Sequence, residues 1–362
     1  MTRLKVGVVG SGIGASHIEA YKALPEMYEV AVLCDIDAAR GAEVAARFGI
    51  PATIGALDEL LARDLDIIDV CTPSGLHQAQ TLAALAAGFH VVVEKPVAKS
   101  LAEIDAVAAA EAASGRRVAP IFQYRFGLGL QKLAHLRAKG FATTASVATA
   151  ETHWYRGEVY YGAAAWRGTF DGELGGCLTT HAIHIHDILC EVLGPIASVH
   201  ARASNRLNRN ETEDMAILSL GFASGAFATS SVTLGSRQET SRLRFVFDDL
   251  VAESGLAPYN PGHDPWTFPN DDDSERARIA EALEDFRPLP ERFVGQFHRL
   301  HAALTGDAPL PVTLDDARRS VELLTAAYYS ALTGEVVALP LPTDHPFYAG
   351  WLETMKRKAG HG

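Results

Sequence analysis

Short β-rich runs alternate with Ala-rich helical runs through the first 120 residues, and this rhythm constrains the fold more than any other feature of the chain. The strand-like runs are "LKVGVVG", "YEVAVLCD", "LDIIDVCT", "FHVVVEKP" and "RRVAPIFQYRF". Between them lie "ASHIEAYKAL", "AARGAEVAARFG", "HQAQTLAALAAG" and "SLAEIDAVAAAEAASG". Strand–helix alternation of this kind implies a parallel sheet with helices on both faces. The helix ends carry their own punctuation: Gly49, Gly88 and Gly115 as C-terminal stops, and Ser100 with Glu103 as a capping box.

Beyond about residue 125 the pattern changes. "AILSLGFASGAFATSSVTLG" reads as a hairpin around a Ser-Gly turn, and "SRLRFVFDD" and "PIASVHARAS" read as further strands. Helical runs are expected at 128–140, 178–193 and 291–304, with an amphipathic helix in "DDARRSVELLTAAYYSAL". The expected fold class is α/β: a doubly wound parallel sheet over residues 1–122, then an α+β domain over 123–362 with a large, mostly antiparallel open sheet. The Pro-, Gly- and Asp-rich "SGLAPYNPGHDPWTFPNDDD" reads as a long loop, equally a surface excursion or a functional element.

At 362 residues two domains are the natural expectation. The net charge of −12 argues against general affinity for nucleic acid or anionic membrane, though a local pocket can oppose the global sign. Cys34, Cys71, Cys177 and Cys190 form no C-x-x-C pair and sit in apolar neighbourhoods, as reduced cytosolic thiols do. No stretch approaches the ~18 apolar residues of a membrane span, and the N-terminal apolar run is too short for a secretion signal. A cytoplasmic location is expected.

"VGVVGSGIGASH" places Gly10, Gly12 and Ala15 in a G-x-G-x-x-A arrangement between a strand and a helix. Such a turn, Gly10-Ser11-Gly12-Ile13, brings backbone N–H groups and a helix N-terminus to a pyrophosphate, with Ala15 small enough for helix–sheet contact. Asp35 ends the next strand about 20 positions on, where a carboxylate takes ribose hydroxyls and repels a 2′-phosphate. NAD is therefore expected in preference to NADP. "VVVEKP" ends a later strand in Glu94, Lys95 and Pro96; strand carboxyl ends face the ligand crevice of a doubly wound sheet, so Lys95 is expected beside the cofactor. In "TTHAIHIHD", helical spacing turns Thr180, His181 and His184 to one side and His186 away. His181, His184 and Asp187 could just supply three metal ligands, but no metal is expected.

"GSGIGASH", "CTPSGLH", "HVVVEKP", "FQYRF" and "GGCLTTHAIHIHD", in this order, resemble the glucose–fructose oxidoreductase / inositol dehydrogenase (Gfo/Idh/MocA) family. The resemblance covers nearly the whole chain. It implies an N-terminal Rossmann domain, a C-terminal α/β domain whose sheet makes a dimer or tetramer contact, and NAD(P)-linked oxidation or reduction of one carbon of a sugar, cyclitol or polyol. It assigns Thr72, Pro73 and His77 to a turn passing the cofactor, and Glu94 and Lys95 to the E-K-P pair, with Lys95 on both nicotinamide ribose and substrate. Gln123 falls near the nicotinamide, and Trp166 and Arg167 near the substrate. Counting from Gly175 and Gly176, the family's aspartate position holds Thr180 and its histidine is His184. Asp187 matches a structural position. Arg125 and His153 are further substrate-binding candidates.

The function this implies is an NAD-dependent sugar or polyol dehydrogenase, with Lys95 and His184 hydrogen-bonding the reacting hydroxyl. His184 is favoured as proton acceptor because imidazole titrates near working pH. With Thr180 in the aspartate position, the choice between it and Lys95 stays open. Two other readings stand beside this one: an NAD-using glycoside-cleaving enzyme with transient oxidation, and a non-catalytic NAD-binding regulator of the same fold.

Overall fold

The computed structural model describes residues 2–359, in two compact units. The first comprises the chain up to Phe122 together with Phe293–Val321; the second comprises Gln123–Arg292 and the chain from Glu322 onward.

In the first unit, β1 (Leu4–Val9), β2 (Tyr28–Cys34), β3 (Ala52–Ile54), β4 (Ile67–Val70), β5 (His90–Val93) and β6 (Val118–Pro120) form one sheet in the order β3-β2-β1-β4-β5-β6. Every pair is parallel. Val6, Val8, Ile67, Ile68, Val70 and Val93 are wholly buried, as strands covered on both faces require. The order reverses between β1 and β4, and ligands of open α/β sheets bind beyond the strand ends at such a point. The punctuation works as read: Ser100 Oγ accepts from Glu103 N at 3.2 Å, and Gly49 and Gly115 end their helices with φ of 63° and 65°.

The span expected as one domain, 123–362, does not pack as one block, because Phe293–Val321 returns to the first unit. The cause is aromatic. Phe297 stacks on Tyr21 with centroids 4.1 Å apart, Phe293 lies 4.6 Å from the His17 ring, and the Tyr28 hydroxyl donates to the Phe297 carbonyl at 2.8 Å. Burying two phenylalanines there is worth roughly 3–6 kcal/mol, enough to place the helix Arg292–Thr305.

The second unit carries β7 (Ala145–Tyr155), β8 (Ile196–Ser204), β9 (Met215–Phe222), β10 (Phe227–Thr233), β11 (Gly235–Phe247), β12 (Val251–Ser254), β13 (Trp266–Thr267) and β14 (Val337–Ala338). Their order is β13-β12-β11-β7-β10-β9-β8-β14; β7 and β10 run parallel and the other neighbours antiparallel. Period-two alternation gives the sheet two faces. Ala148, Ala150, Trp154, Leu218 and Ser230 are buried, whereas Val147, Ile217 and Phe227 are exposed. The hairpin β9–β10 turns through Ser224 and Gly225, whose φ of 90° suits glycine.

The long Pro- and Gly-rich loop is pinned rather than loose. Gly129 N donates to Gly262 O at 3.0 Å, and buried Trp266 donates its indole N–H to Pro261 O at 2.8 Å. A Cβ on Gly129 would sit 2.0 Å from the Trp266 ring, so only glycine admits that contact. Among the described residues no helix is long and apolar enough to cross a membrane.

Candidate active site

In the first unit the glycine turn leaves β1 at Gly10, whose φ is 93°. A Cβ there would lie 2.7 Å from the Cys71 carbonyl oxygen, which ties the turn to the end of β4. Gly12 is exposed, and the nearest atom to its missing Cβ among the described residues beyond its chain neighbours is Nη2 of Arg40, 3.5 Å away. The backbone here is open to a ligand phosphate with a guanidinium beside it. The close helix–strand contact falls at Gly14, not at Ala15: a Cβ on Gly14 would sit 3.0 Å from Val8, while Ala15 is half-buried. The helix begins one residue earlier than the motif spacing suggests, so its buried first position is Gly14.

Asp35, just past β2, faces this turn. Its Oδ2 accepts from Ser11 N at 2.8 Å and from Ser11 Oγ, and its Oδ1 accepts from Asp37 N at 2.8 Å. Burial pushes this carboxyl up, but the bonds from Ser11 and Asp37, with the Arg40 charge, outweigh it and hold the group below the usual carboxylate range. Ile13, half-exposed, completes the turn. A glycine cradle, an open turn and an ionised carboxylate at the strand end fit an adenine dinucleotide with free ribose hydroxyls.

His77 presents nothing to solvent. It is buried, with Nδ1 2.7 Å from Pro96 O and Nε2 2.7 Å from Thr72 O. It staples the turn after β4, Thr72-Pro73, to the E-K-P segment after β5. Burial lowers its pKa. Thr72 is held in turn by Gln80, its Oγ1 2.6 Å from the amide oxygen.

Glu94 is buried beside Lys95. Its Oε2 accepts from Lys95 N at 3.1 Å, and its Oε1 lies 3.2 Å from His17 Nε2. The other His17 nitrogen is 2.9 Å from Asp69 Oδ2 and 3.3 Å from Cys71 Sγ. Burial alone would lower the His17 pKa, but the Asp69 carboxylate beside it raises it well above the ordinary value. A charged imidazole thus bridges two buried carboxylates and secures the segment carrying Lys95. Sequence reasoning missed His17, although it stands four residues past the glycine turn on the helix face toward β4. Ligating atoms of His17, Asp69 and Cys71 lie within 4.8 Å of one another, the one such grouping among the described residues. They already hydrogen-bond each other under Phe293 and Phe297.

In the second unit the stretch expected as a plain α-helix over 178–193 opens with a π turn, Leu178–Ala182, before the α-helix Ile183–Leu193. Such turns recur at functional sites because they re-aim side chains. Glu213 holds the turn's base: its carboxylate accepts from Gly176 N at 2.9 Å, Leu178 N at 3.1 Å and the Tyr328 hydroxyl at 2.9 Å. Burial pushes this carboxyl up to about 7. Gly176 must be glycine, since a Cβ would sit 1.8 Å from the Glu213 carbonyl oxygen.

Thr180 donates its hydroxyl to Gly176 O at 2.7 Å and contacts His181 Nδ1. Arg156 Nε donates to His181 Nε2 at 3.2 Å. An arginine cannot accept, so the His181 proton sits on Nδ1 and the ring is neutral. His184, one turn on, is buried and stacks on Tyr124 at 4.5 Å. His186 points elsewhere, bonding Ser230 Oγ at 2.9 Å, and burial lowers its pKa to about 4. Gln123 is buried, with an Oε1 that finds no hydrogen bond among the described residues.

Two substrate-binding expectations change. Arg125 is a structural clamp: its Nε and Nη2 bond both oxygens of Asp187 at 2.7 and 2.6 Å, and its Nη1 pairs with Glu191 at 3.0 Å. With all three nitrogens engaged and the side chain buried, it anchors the histidine helix. His153 is not brought to the others. It is one residue out of phase with Trp154, so it faces the opposite side of the sheet and bonds Ser231 at 2.8 Å. Asp187 belongs to Arg125 and His181 to Arg156, so these two do not converge with His184 as metal ligands.

Trp166 and Arg167 do join His181's surroundings. Arg167 lies 4.8 Å over Trp166 and 4.1 Å over Tyr160, and Tyr160 is 5.9 Å from His181. Sequence reasoning missed Tyr160, Glu239 and Tyr259, the last delivered by the long loop.

A doubly wound sheet with a dinucleotide turn, followed by a large open sheet bearing a histidine helix, defines a two-domain nucleotide-dependent oxidoreductase architecture. A family model described as "Oxidoreductase family, NAD-binding Rossmann fold" matches residues 4–122, and one for the GFO/IDH/MocA C-terminal domain matches residues 130–250. The chain belongs to the Gfo/Idh/MocA oxidoreductase family. It is 28% identical over 218 residues to D-glucoside 3-dehydrogenase of Escherichia coli K12, covering 58% of this chain and 60% of that one. It is 32% identical over 135 residues to inositol 2-dehydrogenase 3 of Saccharopolyspora erythraea, covering 37% and 40%. The matched stretches thus span less than two thirds of either relative's length. Among solved structures, the WlbA dehydrogenase of Bordetella pertussis, in complex with NADH and UDP-GlcNAcA, superimposes with a TM-score of 0.81 at 27% identity, covering 94% of this chain and all of that one.

Proposed function

We propose that this protein is an NAD-dependent dehydrogenase acting on a CH–OH carbon of a sugar, cyclitol or related polyol. The observation that carries the reading is the ionised Asp35 carboxylate facing the open Gly10–Ile13 turn in a family of NAD-binding oxidoreductases. Related proteins named D-glucoside 3-dehydrogenase and inositol 2-dehydrogenase, and a similar dehydrogenase in complex with UDP-GlcNAcA, support the substrate class. NAD would be held by the glycine turn, Asp35 and the Thr72-Pro73 turn, and it supplies a ring that accepts the hydride. The chain's own residues do the rest. Lys95, secured through Glu94 and His17, holds the reacting hydroxyl and its developing negative charge. His184 takes the proton, its ring fixed against Tyr124. Thr180, tied to Gly176 and His181, orients the turn.

The protein is read as cytoplasmic, in keeping with four cysteines that form no disulfide. A homodimer or homotetramer through the C-terminal sheet is supported by the exposed apolar Val147, Ile217 and Phe227.

The test is a spectrophotometric screen of NAD reduction across hexoses, pentoses, inositols and uronates. Wild type should release NADH stoichiometrically with at least one polyol. Lys95→Ala and His184→Ala should each lose about a hundredfold or more in kcat while NAD affinity stays within about threefold. Near-normal turnover by either variant removes that residue from the mechanism. Glycoside cleavage without net NADH removes the dehydrogenase reading.

A further inference from the structure

The two arginines beside His181 are satisfied very differently. Arg156 is engaged through Nε and Nη1. Its Nε bonds His181, and its Nη1 donates to Tyr155 O at 2.7 Å, Glu239 Oε1 at 3.1 Å and the Tyr259 hydroxyl at 3.2 Å. Its guanidinium also lies within 5.4 Å of the Trp154, Tyr160 and Tyr259 rings.

Arg167 contrasts with it. Its side chain makes no hydrogen bond among the described residues, and its Nε is buried without a partner. Its ion-pair partner there, Glu173, stands 3.9 Å away, beyond hydrogen-bond reach, and Glu173 Oε2 accepts instead from Gly168 N at 2.7 Å. Only 26% of the side chain is exposed, so solvent does not hydrate it fully. A half-buried cation with unspent donors is costly, and such groups are normally paired. The ring of Tyr160 is common to both arginines, at 4.1 Å from Arg167 and 5.0 Å from Arg156, and it leads on to His181. The indole of Trp166 beneath Arg167 is 39% exposed. The result is a guanidinium close to two aromatic rings, with no hydrogen bond from its N–H groups among the described residues, in a protein whose net charge is −12.

We infer that the substrate carries an oxyanion, a carboxylate or a phosphate, and that Arg167 receives it through its free N–H edge. This deepens the dehydrogenase reading and rests on it for the word substrate. A planar guanidinium held against aromatic rings matches a carboxylate or phosphate with two parallel N–H···O bonds. The exposed Trp166 face offers the sugar ring an apolar surface. Arg156, paired with Glu239, stands beside the same Tyr160 ring and adds long-range attraction. An anionic polyol would thus be chosen over its neutral counterpart although the molecule as a whole is acidic.

The test compares matched probes on the NAD-loaded full-length protein: neutral hexoses and inositols against the corresponding uronates and monophosphates. Dissociation constants are measured calorimetrically and kcat/KM by NADH formation. Wild type should prefer the anionic member of at least one pair by about tenfold or more, about 1.4 kcal/mol. Whether uronate or phosphate wins identifies the oxyanion. Arg167→Ala should bring that ratio to within about threefold of unity, and Arg167→Lys should keep part of it, which separates charge recognition from a folding defect. Equal binding within every pair, preference for every neutral member, no binding by any probe, or an undiminished preference in Arg167→Ala each overturns the inference. Anion-selective binding without NADH formation leaves the anion site standing and removes the dehydrogenase reading instead.

Discussion

On the proposed reading, Asp35 and Arg40 would decide cofactor choice between them. The carboxylate is ionised and anchored by Ser11 and Asp37. Arg40 lies in the first turn of the next helix, Ala38–Phe48, its backbone N–H capped by Asp37 and its guanidinium beside Gly12. A 2′-phosphate would meet the carboxylate first, and like charges in contact cost several kcal/mol. In Asp35→Ser the repulsion goes and Arg40 remains. The ratio of NADP to NAD efficiency should then rise by about tenfold or more in steady-state assays; an unchanged ratio would place the ribose elsewhere. Asp35 was legible from the glycine motif and its spacing. Arg40 was not, because its sequence position carries no motif. Nor was His17, whose meaning comes from Asp69 and Glu94 on two other strands.

The element that presents Thr180, His181 and His184 is a π turn running into an α-helix, and a single buried carboxylate underlies it. Helical periodicity revealed the helix but not the π turn, since one widened turn barely disturbs the apolar spacing. The carboxylate has a pH signature. The folded pKa of Glu213 is about 7, against 4.5 for the free side chain. A raised carboxyl favours the fold most where it is protonated, below about pH 4.5, and that contribution is lost as pH rises through about 7. The shift corresponds to roughly 3 kcal/mol. Glu213→Gln, which mimics the protonated form, should lose less thermal stability than wild type between pH 5 and pH 8. Parallel pH profiles for the two proteins would show that the carboxyl does not titrate in this range.

For the whole molecule, the C-terminal sheet has one face covered and one face bearing Val147, Ile217 and Phe227. Paired residues in register put these three on the same side, with Phe227 opposite Val147 in one neighbour and Ser231 opposite Ile217 in the other. If this face makes the proposed subunit contact, Ile217→Lys with Phe227→Lys should convert the dimer or tetramer to monomer in sedimentation velocity. Wild type sedimenting as a monomer would remove that contact. The sequence by itself determined the parallel sheet and its strand ends, the glycine turn, the carboxylate of Asp35 facing it, the placement of Lys95 just past β5, and the histidine helix. Each is written in local periodicity or in residues close along the chain. Tertiary structure alone decided that Phe293–Val321 rejoins the first unit, that Arg125 belongs to Asp187, that His153 faces away, and that Arg167 keeps its donors unspent. These depend on which distant side chains compete for one donor or one apolar surface, and that competition is settled only when the chain has folded.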